Sequence, residues 1–310
     1  PRPPRSSSIA TSSSNSLQAQ DPNEKTGPSG WGPQGFIQAG TVTYHIDFEN
    51  DPKFATAPAQ EVFVTDVLDE DLDLNTLTFL SFGFSNKVFQ VPSGLARYRT
   101  TVDLRPGTNL IADVSLTLDP RARQASATYR SLDPQTGRLT EDPYAGFLPV
   151  NQQQHEGEGF VEFSIRTRKD LANGAEIRNQ AEIVFDVNQP ILTNEVMHTL
   201  DSGSPVSQVG ALPTVVISRR IPLNLTGSDE GGSSVQYFDI YVSDNDGPFT
   251  YWMTTNDLSV EFIGECGHRY SFYSVAVDSV GNAEAHPIVA DATTEVLAVS
   301  LELAWLEQRT

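Results

Sequence analysis

The residues of this chain best suited to chemistry carry hard oxygens. AEIVFDVNQPILTNEV (181–196) sets Asp186 two residues before Asn188, with Asn194 close behind. DVLDEDLDLN (66–75) crowds Asp66, Asp69, Glu70, Asp71 and Asp73 together. SDEGGS (228–233), SDNDG (243–247) and DSVGN (278–282) are acidic turns that contain glycine. Oxygen ligands at such density are what Ca²⁺ takes. The calcium ligands expected are Asp66, Asp69 and Asp71 in the first region, and Asp229, Asp278 and Asn282 at one end of the second. Each stretch also has a plainer reading. Asn-Gln-Pro is sound turn chemistry, with Pro190 blocking a helix. The 66–75 stretch lacks the spacing and turn glycine of an EF-hand loop, and its leucines suit core contacts between solvated acids. The three glycine-containing turns suit Asx-turns almost as well.

Catalytic patterns are missing. The five histidines (45, 155, 198, 268 and 286) are scattered, with no HExxH pair, no GxSxG elbow and no Gly-rich phosphate loop. Cys266 is the one cysteine, which excludes an intrachain disulfide and any zinc or iron–sulfur site built on several cysteines. Its neighbour His268 is close in sequence only, which is not the geometry of a nucleophile and its base. No pair of carboxylates is set apart by environment as a glycosidase needs. The expectation is that the chain is not an enzyme and requires no cofactor. FTYWMTT (249–255) places Tyr251 and Trp252 on a short strand, where exposed aromatics stack on sugar rings. That keeps a carbohydrate-binding accessory module of a secreted enzyme as the alternative.

These residues need a frame to hold them. At 310 residues the chain accommodates about two domains. Its formal net charge of −20 argues against nucleic acid and anionic membrane surfaces, and no apolar run approaches the ~20 residues of a membrane-spanning helix. The opening PRPPRSSS has charge but no apolar signal region, as expected of a processed chain or a piece of a longer one. Residues 1–35 are rich in Pro, Ser and Gly and read as an arm or linker. From residue 36 to 200, short β-branched and aromatic segments alternate with period 2. TVTYHIDFEN places Val42, Tyr44, Ile46 and Phe48 on one face. Residues 201–213 read as a Pro/Gly/Ser hinge. Residues 214–294 hold a second set of strands with an Asp-Gly hairpin signal at NDGPF (245–249). A last segment, 295–310, alternates again, with Leu297, Val299, Leu301, Leu303 and Trp305 on one face as an extra or assembly strand. The fold class expected is all-β: two tandem antiparallel β-sandwiches, Ig-like or fibronectin III-like, behind an extended N-terminal arm.

DPNEKTGPSGWGPQGFIQ (21–38), TYHIDFEN (43–50), VFVTDVLDEDLDLNTL (62–77), EDPYAGFLPVN (141–151) and the long run GFVEFSIRTRKDLANGAEIRNQAEIVFDVNQPILTNEV (159–196) carry a resemblance. Over about 21–200 the chain resembles a β-sandwich repeat domain of large secreted and cell-surface bacterial proteins. Residues 201–293, with SDEGGSSVQYFDIYVSDNDGPFTYW and YSFYSVAVDSVGNAEA, are similar to a fibronectin type III-like module. The resemblance implies extracellular β-modules in series and no known reaction. The expectation is a structural or adhesive module at the cell surface, or a fibre subunit joined through its terminal segments. Its partners would be other copies of itself, neighbouring modules or glycans, with no nucleic acid and no membrane insertion.

Overall fold

A computed structural model describes residues 23–152 and 154–297, and every element among them is a strand or a turn. Strands are numbered in chain order. In the first unit one sheet runs β1 (Lys25–Thr26), β3 (Thr41–Glu49), β10 (Glu158–Thr167), β5 (Leu72–Phe84), β6 (Lys87–Gln90). Its partner runs β13 (Ile191–Leu192), β12 (Ala181–Phe185), β4 (Glu61–Val67), β9 (Gln124–Leu132), β8 (Ile111–Asp119), β7 (Arg97–Asp103). A smaller sheet joins β11 (Glu176–Asn179), β14 (Val196–Asp201) and β2 (Phe36–Gln38), the last two parallel.

The period-2 pattern sets which side chains meet between the sheets. Val42, Tyr44, Ile46 and Phe48 of β3 point inward and are buried. Tyr129 of β9 sits among Phe48, Phe82, Phe84 and Phe147, with ring centroids 5.2–6.3 Å away. Its hydroxyl donates to the Phe160 carbonyl at 2.8 Å, which settles the one polar atom carried into that aromatic core.

The second unit packs β15 (Val206–Val209), β17 (Arg220–Ser228) and β20 (Ser259–Ile263) against a sheet ordered β16 (Val215–Val216), β22 (Ala292–Val296), β21 (Arg269–Asp278), β18 (Val235–Asp244), β19 (Thr250–Thr255). Ile221, Leu223, Leu225, Phe238, Ile240 and Phe272 form its separate core. The central strand β21 is buried on both faces for most of its length, so its sequence alternates less cleanly than that of β3.

The boundaries differ from the sequence reading in three places. The arm expected at 1–35 is part of the first unit from residue 23 onward: β1 pairs with β3, and Trp31 bridges Phe36. Polar composition hid this because the segment is held by individual side chains rather than by an apolar face. The hinge expected at 201–213 is shorter. Asp201 ends β14 and Val206 begins β15, leaving residues 202–205 between the units. The extra strand expected from 295 begins inside the second unit, since Glu295 and Val296 belong to β22, paired with β21 and β16. Leu297 follows them, its amide donating to the Val216 carbonyl at 2.9 Å. Val299, Leu301, Leu303 and Trp305 lie outside the described residues.

Candidate functional site

The two units meet at a group of carboxylates. Asp201 is the last residue of β14, Asp229 lies in the turn after β17, and Asp278 ends β21. One oxygen from each lies within 4.8 Å of the other two, and Asp201 and Asp278 are fully buried. Asp278 is held by its own loop: Oδ1 accepts from the amides of Val280, Gly281 and Asn282 at 2.7–3.0 Å, and Oδ2 from Asn282 Nδ2 at 2.8 Å. Asp201 Oδ1 accepts from the Gly203 amide and Oδ2 from the Ser233 amide, at 3.2 and 2.7 Å. Asp229 Oδ2 accepts from the Ser234 amide at 2.9 Å, while its buried Oδ1 has no partner. Burial and then the Asp201 charge push the Asp229 carboxyl above its ordinary range. Among the described residues none of the three carboxylates is in an ion pair.

The surroundings crowd closely around the group. A Cβ at Gly232 would fall on the carboxylate oxygens of Asp229 and Asp201. Ser233 Oγ beside it is buried without a partner. Asn282 ties the junction to both units: its Nδ2 donates to the Asp201 carbonyl and its Oδ1 accepts from Gln38 Nε2, each at 3.0 Å. Three carboxylates with inward oxygens and no cationic side chain suit a hard divalent cation in chemistry and charge. The geometry therefore brings Asp229, Asp278 and Asn282 together and adds Asp201, which the sequence reading placed in a hinge.

The first acidic stretch is arranged differently. Asp66, Asp69 and Asp71 do not form such a group among the described residues. The turn after β4 is wrapped around Arg123, whose guanidinium donates to the carbonyls of Leu68, Asp69 and Leu72 at 2.5–3.2 Å. Asp69 caps the amides of Asp71 and Arg178, both at 2.9 Å. Leu68 and Leu72 enter the core. Asp66 points inward, to a lysine.

That lysine is Lys25. Its side chain is wholly buried and its Nζ is ion-paired with Asp66, itself 1% exposed. The ammonium lies 4.5 Å from the centre of the Tyr44 ring. Burial pushes the Lys25 amine down to about 8 against the opposing pull of Asp66, and burial pushes the Asp66 carboxyl up. Asn194 fixes the Lys25 backbone, its Oδ1 accepting from the amide and its Nδ2 donating to the carbonyl, both at 2.9 Å. No sequence signal marks Lys25, because its partners lie 41 and 169 residues away.

The remaining expectations resolve locally. Asp186, at φ +52°, accepts from the amides of Gln60 and Glu61 at 2.9 and 2.8 Å, and the Asn188 amide closes a turn onto the Phe185 carbonyl. Asp186 and Asn188 thus serve a turn. Tyr251 and Trp252 lie on opposite faces of β19. Trp252 packs edge-on to Phe262 against the core, and Tyr251, 56% exposed, packs against Tyr241. They do not make a shared stacking platform.

Among known proteins, no curated sequence matches this chain. The C-terminal domain of the Streptococcus agalactiae AgI/II polypeptide BspA is similar in structure at 14% identity, covering 89% of this chain and 95% of that one, with a TM-score of 0.34. Domains D2 and D3 of the major pilin SpaD from Corynebacterium diphtheriae are similar at 16% identity over 86% of this chain and 78% of that one, TM-score 0.34. The N-terminal domain of the Streptococcus gordonii adhesin Sgo0707 is similar at 13% identity over 58% of this chain, TM-score 0.33, and this chain spans 33% of its length. Residues 21–92 and 143–199 match the model of a family described as a domain of unknown function (DUF7619).

Proposed function

We propose that this chain is a non-catalytic, load-bearing module of an extracellular bacterial surface protein. Its two sandwiches are locked in line by a divalent cation, calcium, at their junction. The observation that carries this reading is the meeting of Asp201, from the last strand of the first unit, with Asp229 and Asp278 of the second. A linker of residues 202–205 is too short to swing freely once both its ends are tied. A cation there adds a bond between units rather than within one. Extracellular modules hold calcium with Kd on the order of 10⁻⁴–10⁻³ M, a range in which such a site fills outside cells. The formal net charge of −20 accords with this role. Modules of this kind work in series, joined to other copies or neighbouring domains through their termini.

Small-angle scattering of the full chain in millimolar CaCl₂ and in EDTA tests the reading. A single extended particle that loosens in EDTA supports it, as does an Asp229→Ala variant that gives the EDTA profile under both conditions. Identical wild-type profiles in calcium and EDTA would remove the cation from the account.

A further inference from the structure

Lys25 and Asp66 are an expensive pair to keep in an apolar core. Two desolvated charges are repaid only by good geometry and further hydrogen bonds. Those bonds are incomplete here, because Asp66 Oδ1 is buried without a partner. A third polar side chain, Asn179, shares the site. It is 2% exposed, and both its Oδ1 and its Nδ2 lack partners. Asn179 and Ala181 share the inward face of one extended run, and Ala181 lies directly opposite Asp66 in the β4–β12 ladder. Asn179 is thus the diagonal neighbour of Asp66, within reach of a long side chain. It also lies beside the Tyr44 hydroxyl, over whose ring the Lys25 ammonium sits, though that hydroxyl makes no well-formed hydrogen bond. An amine, a carboxyl and an unpartnered carboxamide therefore converge where water has no access.

We propose that Lys25 and Asn179 are joined by an intramolecular amide bond, formed by the chain itself with Asp66 as the proton carrier. Asp66 takes a proton from the Lys25 ammonium, leaving a neutral amine whose lone pair attacks Asn179 Cγ. The carbonyl electrons move to Oδ1, to which the protonated Asp66 donates. A second Nζ proton passes by way of Asp66 to Nδ2, the Cγ–Nδ2 bond breaks, and the carbonyl re-forms as Oδ1 returns its proton to Asp66. Ammonia leaves and takes up the proton still held by Asp66, so that ammonium is the product and Asp66 ends as it began. No oxidant or cofactor is required. Burial favours the neutral forms of amine and acid on which the first step depends, as expected of a desolvated lysine nucleophile. Asn179 rather than Asp66 is the electrophile. If Asp66 were consumed, no other buried carboxyl among the described residues would stand beside Lys25 to move protons. The bond would tie β1 to the end of β11, so that tension applied across the first unit bypasses the sheets between them. That consequence rests on the load-bearing role proposed above; the bond itself does not.

Intact mass spectrometry of the full denatured chain, followed by peptide mapping, decides the matter without reference to calcium. The expected result is a mass lower than the sequence mass by one ammonia, with a branched peptide joining Lys25 to Asn179. Lys25→Arg, Asn179→Ala and Asp66→Ala should each restore the full sequence mass, the last with both reacting side chains still present. A wild-type chain of unmodified mass would overturn the proposal. So would loss of one water with a Lys25–Asp66 branch.

Discussion

Asp66 and Asp278 are both aspartates at the end of a strand with almost no exposure, yet the molecule settles them in opposite ways. Asp278 turns back on its own loop, which surrounds the carboxylate with three backbone amides and the Asn282 side chain. Asp66 has no such loop and relies on one lysine brought from the start of the described chain. The difference shows that a buried acid does not by itself announce a role. A carboxylate satisfied by local amides keeps oxygen lone pairs free for a shared ligand, whereas one satisfied by a distant amine is committed to that amine. The first arrangement builds a junction, and the second places reactive groups in contact.

Breaking the Lys25 side of this contrast should have the largest effect. Lys25→Ala strands a buried carboxylate and should lower unfolding free energy by about 3–5 kcal/mol in chemical denaturation, more than Asp66→Ala combined with it. A loss below about 1 kcal/mol would mean that the pair is not buried as described. The pH dependence follows from the same pair. In an Asn179→Ala chain Lys25 remains a free amine whose folded pKa, about 8, lies below its ordinary 10.5. The unfolded chain then binds more protons between those values. Its stability should rise with pH from about 8 to 10.5 and fall as pH returns, by at most about 3 kcal/mol at ~1.4 kcal/mol per unit. The wild-type chain, if cross-linked, should show none of this rise in the same titration.

Smaller effects sharpen the other side. Asp186→Ala removes the acceptor of two backbone amides and should cost about 1.5–3 kcal/mol, while Asp186→Asn, which retains an acceptor and tolerates the positive φ, should cost less by thermal melting. Gly232→Ala pushes a methyl group against the Asp201 and Asp229 carboxylates. It should cost about 1–3 kcal/mol through overpacking and weaken any calcium-induced stabilisation, read by the same melts with and without the ion.

Much of the frame is legible in the chain, because alternation of apolar residues is a local signal. Val42, Tyr44, Ile46 and Phe48 declare the inward face of β3, and Asn-Gln-Pro declares the turn after β12. The acidic turns at 229 and 278 are equally visible. What brings them to Asp201 is not, since that depends on how one sandwich docks on the next. Lys25 is hidden for a related reason. It stands in a polar stretch with no periodicity, and Asp66 and Asn194 reach it only after the sheets have formed. The assignment of Asp66 to a calcium group followed composition, and the lysine overrides it.

The cation proposed at the junction carboxylates should hold the two units together. Calorimetric unfolding of the full chain in EDTA and in CaCl₂ at about 100 times Kd measures that hold. Bound calcium should stabilise the chain by about 2.7 kcal/mol, a rise of several degrees in midpoint, absent in Asp229→Ala. Superimposable wild-type curves across millimolar calcium would contradict it.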